Sequence, residues 1–479
     1  MDDHRRELGK LVLTSVLLAA IAASTYAIPA AADVRPWLRG EPIPVVDLFL
    51  DRAVVGEDEQ GGVVEEAVPT MEDIAWAPLD PSKDALLLPA REPAVPTPLE
   101  IPAGALDAWF TALAEVEAAP KDVPGPIARA LHWGDSTIAG DGIASSIRAR
   151  LQERFGDGGP GFLAVHVDPR WALRPGVARW PKGDWETVTI TFGGSEAARY
   201  GLAGTVSTAI GEARTTLGGL EIDGERQLLH RFEVFYQRQV GGGGFSFSAR
   251  GAGDYIGTSG GGTSDGFRVL ETPDGAPYVT ISTKGDGPVT IYGVALETKG
   301  PGVTWETLGV AGSSIASMMR QGRRHLAGQV TQRGPDLIVY MTGGNELGYE
   351  SLVEGDGALY KESYVKALQR LREGAPEASC LVLAPLDQAR RERGKIATKP
   401  ELLRLVQIQH ELALEQGCAF WDSWRAMGGD GGYARWMNHK PRYAWTDLMH
   451  LTDEGLDLIG QSLADAMLAE YDRWEKRSR

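Results

Sequence analysis

Residues 127–141 read Ile-Ala-Arg-Ala-Leu-His-Trp-Gly-Asp-Ser-Thr-Ile-Ala-Gly-Asp, and this stretch decides the fold. Ile127 to Trp133 predicts a moderately apolar strand that runs into a glycine-led turn, and an amphipathic helix is predicted from about Ile143 to Phe155. Ser136 then lies just past the carboxyl end of a parallel strand, where open α/β sheets bind ligands. It is a candidate nucleophile, although Gly-Asp-Ser also makes an ordinary turn and helix cap.

Outward from this stretch, helix and strand patterns alternate. A helical spacing of apolar residues begins near Ala105, and the alternation resumes after Trp305. Such alternation predicts a parallel sheet with helices on both faces. The predicted strands are Thr307–Val310, Leu337–Tyr340, Cys380–Leu383 and Ala419–Trp421, and the predicted helices lie near 314–328, 357–373, 400–416 and 453–475.

The middle of the chain has a different pattern. Between about Ala164 and Glu297, short β-branched or aromatic runs alternate with polar residues and are separated by glycine-rich turns. This pattern predicts an all-β sandwich. Because one α/β unit precedes it and several follow, we predict an inserted module over residues 164–300.

A second candidate for catalysis is Asp447, placed three residues before His450. Serine attack needs a base, and the base needs an acceptor that fixes its tautomer and stabilises the imidazolium. One short loop can supply both groups. The alternative is a surface Asp and His beside the last helix, with Thr452 as the N-cap of that helix.

Two glycine-rich turns supply candidate donors for an oxyanion. Gly312 follows one predicted strand, and a glycine allows its backbone N–H to approach a substrate oxygen closely. Asn345, preceded by Gly344, follows another strand and offers a side-chain amide. The sequence thus predicts four turns, each at a strand end, that one sheet can gather into one site.

These blocks resemble those of the SGNH, or GDSL, hydrolase superfamily: Gly134-Asp135-Ser136, Gly312, Gly344-Asn345, and Asp447 with His450. The resemblance implies a three-layer α/β/α, flavodoxin-like hydrolase core with a parallel sheet, formed by residues 105–163 and 301–479. It also implies Ser136 as nucleophile, His450 as base oriented by Asp447, and an oxyanion hole made by Ser136, Gly312 and Asn345. No cofactor is implied.

Longer strings resemble more narrowly the peptidoglycan O-acetylesterase branch, which carries a carbohydrate-binding-like β-sandwich after the first block. They are residues 130–137, 151–162 and 420–429, together with the β-rich insertion. This resemblance implies removal of acetyl groups from a carbohydrate, with peptidoglycan as the leading candidate. Thr137 replaces a histidine common in that branch, and Glu346 replaces the aspartate common in the wider superfamily.

Two other functions stay open on the sequence alone. A carbohydrate O-acetyltransferase would use the same triad and the same acyl-enzyme, and would differ only in the acceptor. A non-catalytic glycan-binding protein would have a relic site, which the intact Ser136, Asp447 and His450 oppose. Trp421, Trp424, Trp436 and Trp445 lie near the proposed base, where they can either stack on sugars or pack in the core.

The composition limits the classes of partner and the kinds of site that the protein can have. The 479 residues include 65 acidic and 48 basic ones, a net charge of −17, which argues against nucleic acid. Two cysteines, Cys380 and Cys418, exclude a disulfide scaffold and allow one bridge at most. Five further histidines show no metal-ligand spacing, so we predict no metal site; they are His166, His230, His325, His410 and His439.

The N-terminus predicts export. A basic flank precedes 17 uncharged, mostly apolar residues from Leu11 to Ala27, so residues 1–28 are either a cleaved signal peptide or a retained membrane anchor. Residues 29–104 are predicted to be an acidic, proline-rich, disordered tether. We therefore expect a periplasmic, cell-envelope or extracellular protein; the oligomeric state is not indicated.

Overall fold

The structure, a computed structural model, describes residues 56–57, 63–64, 94–121, 123–167, 174, 176–191, 199–222, 224–348, 357–392 and 394–478. The predicted leader, residues 1–28, lies outside the described residues, as does most of the predicted tether. The chain divides into two compact units, Met1–Ala77 and Pro78–Arg479. In the first unit, β1 (Gly56–Glu57) pairs antiparallel with β2 (Val63–Val64).

The second unit holds the remaining elements. Its helices are α1 (Asp107–Ala118), α2 (Ser136–Ala139), α3 (Gly142–Phe155), α4 (Ile315–Met319), α5 (Arg323–Arg333), α6 (Ala358–Arg372), α7 (Pro400–Glu415), α8 (Ser423–Ala426), α9 (Gly432–Asn438) and α10 (Asp453–Ser478). Its strands are β3 (Ile127–Gly134), β4 (Gly161–Leu163), β5 (Arg179–Lys182), β6 (Trp185–Thr189), β7 (Thr205–Ala209), β8 (Arg214–Gly218), β9 (Glu221–Ile222), β10 (Glu225–Arg226), β11 (Leu229–Arg238), β12 (Gly244–Ala249), β13 (Ala252–Gly257), β14 (Ser264–Ala276), β15 (Tyr278–Thr283), β16 (Val289–Glu297), β17 (Gly302–Gly309), β18 (Leu337–Met341), β19 (Ser379–Leu383), β20 (Ala389–Glu392), β21 (Lys395–Thr398) and β22 (Ala419–Trp421).

The central sheet is parallel, with the strand order β17-β3-β18-β19-β22. Strand side chains alternate between two apolar clusters, because successive residues of a strand point to opposite faces. Ala128 and Ala130 belong to a cluster that includes buried residues of α1, α3, α9 and α10, whereas Leu131 and Trp133 belong to one that includes buried residues of α5, α6 and α7. The sheet is therefore covered by helices on both faces, and the carboxyl ends of its strands meet at one edge. None of the helices in the described ranges combines the length and apolarity needed to cross a bilayer.

The described residues between 161 and 297 form two large antiparallel sheets and the short two-stranded sheet of β9 and β10. One has the order β14-β11-β16-β7-β6, with β4 also paired to β16, and the other has the order β13-β12-β15-β8-β5. Gly161–Leu163, just before the predicted boundary at residue 164, pairs with β16 and so belongs to the first of these sheets. The indole N–H of Trp133 donates to the carbonyl of Leu202 at 2.8 Å, which ties this β-rich region to β3 of the parallel sheet.

Three boundaries differ from the sequence predictions. Residues 94–104 were assigned to the tether, but here the chain forms backbone hydrogen bonds in both directions between Glu100 and Phe420, and Leu99 is buried. The helix predicted over 314–328 is two helices, α4 and α5, because Gly322 between them is extended. The strand predicted at Thr307–Val310 is the end of the longer β17.

Cys380 and Cys418 form a disulfide bond, the pairing that the sequence left open. Cys380 lies in β19, and Cys418 directly precedes β22, the neighbouring strand. Both residues are buried. The bond therefore joins two adjacent strands at one end of the parallel sheet.

Candidate active site

The structure brings Ser136, Asp447 and His450 together. Ser136 Oγ lies 3.3 Å from His450 Nε2, although the two residues are 314 positions apart. His450 Nδ1 lies 2.8 Å from Asp447 Oδ2. One imidazole nitrogen thus faces a hydroxyl while the other is held by a carboxylate, which is the arrangement that activates a serine.

The turn that presents Ser136 is shaped by its neighbours. Asp135 caps α2, because its Oδ1 accepts the backbone N–H of Thr137 at 2.9 Å. Gly134 has no room for a side chain: a Cβ there would lie 2.4 Å from Ile138 Cγ1 and 2.8 Å from the carbonyl oxygen of Met341. The glycine therefore allows β3 to turn sharply into α2, with Ser136 as the first residue of the helix.

Asp447 organises its own loop. Its Oδ1 accepts the backbone N–H groups of Met449 at 2.9 Å and His450 at 3.0 Å, while Oδ2 holds the imidazole. Leu448 between them has a φ of 61°, a left-handed conformation unusual for a branched residue. The spacing of three residues thus lets one carboxylate bind both the backbone and the side chain of His450.

One expectation about this loop was wrong. The sequence predicted that all four turns follow strands of the sheet, and this holds for Ser136 after β3, Gly312 after β17 and Asn345 after β18. The loop of Asp447 and His450 instead lies between α9 and α10. It is closed by an isolated antiparallel bridge between Ala444 and Leu451.

The electrostatics suit a general base. The hydrogen bond that His450 donates to Asp447 raises the pKa of His450 above its ordinary value of 6.5, against the opposing effect of burial. Burial acts to raise the pKa of Asp447, but the hydrogen bonds from His450 and from the backbone outweigh it and lower that pKa. A carboxylate that stays ionised stabilises the imidazolium formed when His450 takes the serine proton.

The candidate oxyanion donors lie on two connected turns. Gly312 has a φ of 73°, which favours glycine, and follows the end of β17. Asn345 Nδ2 donates to the carbonyl of Ser313 at 2.7 Å, which joins the Asn345 turn to the Gly312 turn. Because a primary amide has two hydrogens, the second one remains for a substrate oxygen.

Glu346 supports the same pair of turns from inside the protein. Its Oε1 accepts the backbone N–H of Ile315 at 2.8 Å and the hydroxyl of Thr342 at 3.2 Å. Among the described residues, Oε2 has no hydrogen-bond partner. Burial, with a smaller contribution from Asp135, raises the pKa of Glu346 to about 7. The position that departs from the superfamily pattern is thus a buried carboxyl that connects β18 to the start of α4.

Two residues near the site were not singled out from the sequence. The hydroxyl of Tyr433, on α9, lies 2.7 Å from the carbonyl of His450 and 2.9 Å from that of Trp445, behind the catalytic loop. Gln388 donates to the carbonyl of Gly344 at 3.3 Å and accepts from Lys399 at 3.0 Å. Both act through contacts between separate elements of the chain, so no short motif reveals them.

His132, four residues before Ser136, is a buried strand residue. Its Nδ1 accepts the indole N–H of Trp305 at 3.1 Å. Burial lowers its pKa to about 3, so the ring is neutral near pH 7. In the part of the chain that the structure describes, no group of three or more His, Cys, Asp or Glu side chains has a metal-binding arrangement.

Residues 271–458 match the sequence model of the GDSL-like Lipase/Acylhydrolase family. The matched range contains Gly312, Asn345, Asp447 and His450, whereas Ser136 precedes it on the far side of the insertion. None of the curated protein sequences compared with this chain matches it.

Solved structures with a similar fold include one titled "Peptidoglycan O-acetylesterase in action, 5 min". It is 23% identical, and the alignment covers 76% of this chain and 96% of that one with a TM-score of 0.63. An acetylxylan esterase from Geobacillus stearothermophilus is 19% identical over 36% of this chain and 72% of that one, with a TM-score of 0.25. Residues 271–458 are thus similar to the GDSL-like lipase/acylhydrolase family, and the chain shares the fold of the structure titled as a peptidoglycan O-acetylesterase. The geometry of Ser136, His450 and Asp447 is that of a nucleophile, a base and an orienting carboxylate.

Proposed function

We propose that this chain is an exported serine esterase that removes O-acetyl groups from a carbohydrate, with peptidoglycan as the leading candidate. The observation that carries the proposal is the continuous hydrogen-bonded set from Ser136 through His450 to Asp447, beside the amide of Asn345. The fold shared with a structure titled as a peptidoglycan O-acetylesterase supports the choice of substrate.

The chemistry follows from the geometry. Ser136 Oγ attacks the acetyl carbonyl as His450 Nε2 takes its proton, and the oxygen that becomes negative is held by the N–H groups of Ser136, Gly312 and Asn345. The imidazolium then donates the proton to the departing sugar oxygen, which leaves an acetyl-serine. Water, deprotonated by His450, attacks this ester and releases acetate, and Ser136 regains its proton.

Export is supported by two features. Residues 1–28 have the layout of an export signal. The disulfide between Cys380 and Cys418 is of the kind that persists in oxidising compartments outside the cytosol. We also propose that the two antiparallel sheets of residues 161–297 form the inserted β-sandwich, since Phe245 and Ile281 of one sheet share an apolar cluster with Phe232 and Val294 of the other.

A screen of acetate release tests the proposal. Acetylated peptidoglycan, acetylated xylan and simple alkyl acetates are incubated with the wild-type protein and with Ser136→Ala. We expect release from a glycan by the wild type, and loss of turnover in Ser136→Ala without a change in its thermal unfolding, because the hydroxyl is the only group removed.

Three results would contradict this expectation. Full activity of Ser136→Ala would exclude Ser136 as the nucleophile. Acetyl transfer to an added acceptor glycan in preference to water would assign the chain as an O-acetyltransferase that uses the same triad. Failure of a fluorophosphonate to label Ser136 in the wild type would favour a non-catalytic protein.

A further inference from the structure

We propose that Trp445 is the sugar-binding platform of this active site, stacking its indole on the ring that carries the acetyl ester. The inference rests on the proposed function and deepens it, because it assigns a residue that distinguishes a carbohydrate ester from other acetate esters. The side chain of Trp445 is 52% exposed, and its backbone N–H donates to the carbonyl of His450 at 2.9 Å.

The pairing of this short hairpin fixes the side of the loop on which Trp445 lies. Ala444 pairs antiparallel with Leu451, and both are buried, at 0% and 4% exposure. The next pair towards the turn of this hairpin is Trp445 opposite His450. Because side chains alternate along a strand, these two side chains project from the face of the hairpin opposite to that of Ala444 and Leu451. His450 points from that face towards Ser136, so the indole lies on the same face as the imidazole.

The hairpin also holds the indole at a fixed position relative to the base. The hydroxyl of Tyr433 lies within hydrogen-bond distance of the backbone carbonyls of both Trp445 and His450. The backbone N–H of Thr452 donates to the carbonyl of Tyr443 at 3.0 Å, which closes the other end of the pair. A platform anchored in this way can orient a bound ring with respect to the nucleophile.

The other late tryptophans serve different purposes. Trp421 is fully buried and donates to the carbonyl of Thr97 at 3.0 Å, Trp436 is 2% exposed, and Trp424 packs partly buried against the core. Within the described residues, no aromatic ring or cation stacks on Trp445. Its indole face is therefore available beside the catalytic histidine.

The chemistry of this face fits a pyranose. The C–H groups on one side of a sugar ring are apolar, and a large flat aromatic surface excludes water from them while the hydroxyls stay at the edge. An acetate ester of a small alcohol offers no such face. Trp445 should hence favour ring-bearing esters specifically.

The test compares two esters that differ in the alcohol. Methyl 6-O-acetyl-glucopyranoside carries one sugar ring, and ethyl acetate carries none; acetate release gives kcat/KM for each with the full-length protein. In Trp445→Ala the ratio of sugar ester to ethyl acetate should fall by about 10-fold, mainly through a higher KM for the sugar ester. Trp445→Phe, which keeps an aromatic face, should restore most of the ratio.

Trp180 provides the matched control. It is a tryptophan of similar exposure, 49%, on β5 of the insertion, and Trp180→Ala should leave the ratio at the wild-type value. If Trp445→Ala lowers both activities equally, Trp445 only maintains the loop and the inference is overturned. If the wild type cleaves ethyl acetate but no sugar acetate, the carbohydrate substrate of the proposed function fails as well. If the wild type cleaves the sugar acetate and Trp445→Ala has the same ratio of sugar ester to ethyl acetate as the wild type, the role of Trp445 is refuted while the proposed function stands.

Discussion

Burial in the folded protein disfavours the ionised form of Glu346. Its pKa of about 7 lies above the ordinary value of 4.5, because the carboxyl is buried and, to a smaller extent, because it lies near Asp135. Between pH 4.5 and 7 the folded state holds a proton that the unfolded state has released. The unfolding free energy should therefore decrease as the pH rises through that window.

The variant Glu346→Gln should remove this decrease. Glutamine keeps an oxygen that can accept from Ile315 and Thr342 but does not ionise. The fall in unfolding free energy between pH 5 and pH 8 should be smaller in the variant by on the order of 3 kcal/mol. Urea unfolding of both proteins at the two pH values measures this difference.

The comparison also controls for other groups. Burial raises the pKa of Asp387 to about 7 as well, so it contributes a slope of the same sign, but Asp387 is present in both proteins and its contribution cancels. Identical pH slopes for the wild type and Glu346→Gln would mean that Glu346 is already ionised in the folded protein at pH 5.

At the residue scale, the sequence predicted those site residues whose roles depend on short spacing. Asp447 lies three residues from His450, and Gly134 and Asp135 adjoin Ser136, so chemistry and local geometry can be inferred together. Tyr433 and Gln388 could not be predicted, because no short motif spans their contacts: Tyr433 lies 12 and 17 residues from Trp445 and His450, and Gln388 lies 44 residues from Gly344. The burial of Glu346, on the turn after β18, likewise could not be inferred from its local sequence.

At the scale of elements, the disulfide between Cys380 and Cys418 constrains β19 and β22. The two cysteines are 38 residues apart. In the chain-entropy account, a cross-link over a loop of this length reduces the conformational entropy of the unfolded chain, which raises the free energy of the unfolded state by about 4 kcal/mol at 25 °C. The free energy of unfolding of the double variant Cys380→Ala/Cys418→Ala should therefore be about 2–4 kcal/mol lower than that of the wild type. Denaturant titration of both proteins measures this difference.

Reductant provides the control for this experiment. Wild-type protein unfolded with excess dithiothreitol keeps both sulfur atoms but loses the bond, so it should show a similar loss without the cavity that alanine leaves. Equal stability with and without reductant would show that the bond adds nothing to the stability of this sheet.

Elements with polar or charged sequences were the ones that the sequence missed. β17 begins at Gly302 and includes Glu306, a buried carboxylate that interrupts the apolar pattern of this edge strand of the parallel sheet. The hairpin of β20 and β21 carries Arg390, Arg391 and Glu392, which gave no strand signal. Such polar side chains are accommodated by partners from other elements of the chain. For Glu306 the partner is Arg333 of α5, whose Nε donates to Glu306 Oε1 at 2.7 Å.

At the scale of the whole molecule, a buried charge network joins the insertion to the hydrolase core. Glu297 of β16 lies 2.6 Å from Arg333 of α5 and 2.7 Å from Arg129 of β3. Burial acts to raise the pKa of Glu297, but the two guanidinium groups lower it well below its usual range. The alternation that predicted an insertion could not predict this contact, which forms only after both parts fold.

Removing Arg333 should destabilise the protein strongly. In Arg333→Met, Glu306 loses its guanidinium partner and Glu297 keeps only the cations of Arg129 and Arg231, so two carboxylates stay buried with too little compensation. Breaking a buried ion pair on one side costs about 3–5 kcal/mol of unfolding free energy. Denaturant titration at pH 7 measures the loss.

Arg323→Met is the matched control on the same helix. The Arg323 side chain is 68% exposed and pairs with Glu373 at the surface, where an ion pair contributes about 0–1 kcal/mol. The deficit of Arg333→Met should also shrink as the pH falls towards 4, because the carboxylates left without their cation can then take up protons. Two results would contradict the view that charge compensation at this junction holds the β-rich region on the parallel-sheet core. One is an equal loss of unfolding free energy in the two variants. The other is a loss in Arg333→Met that does not change with pH.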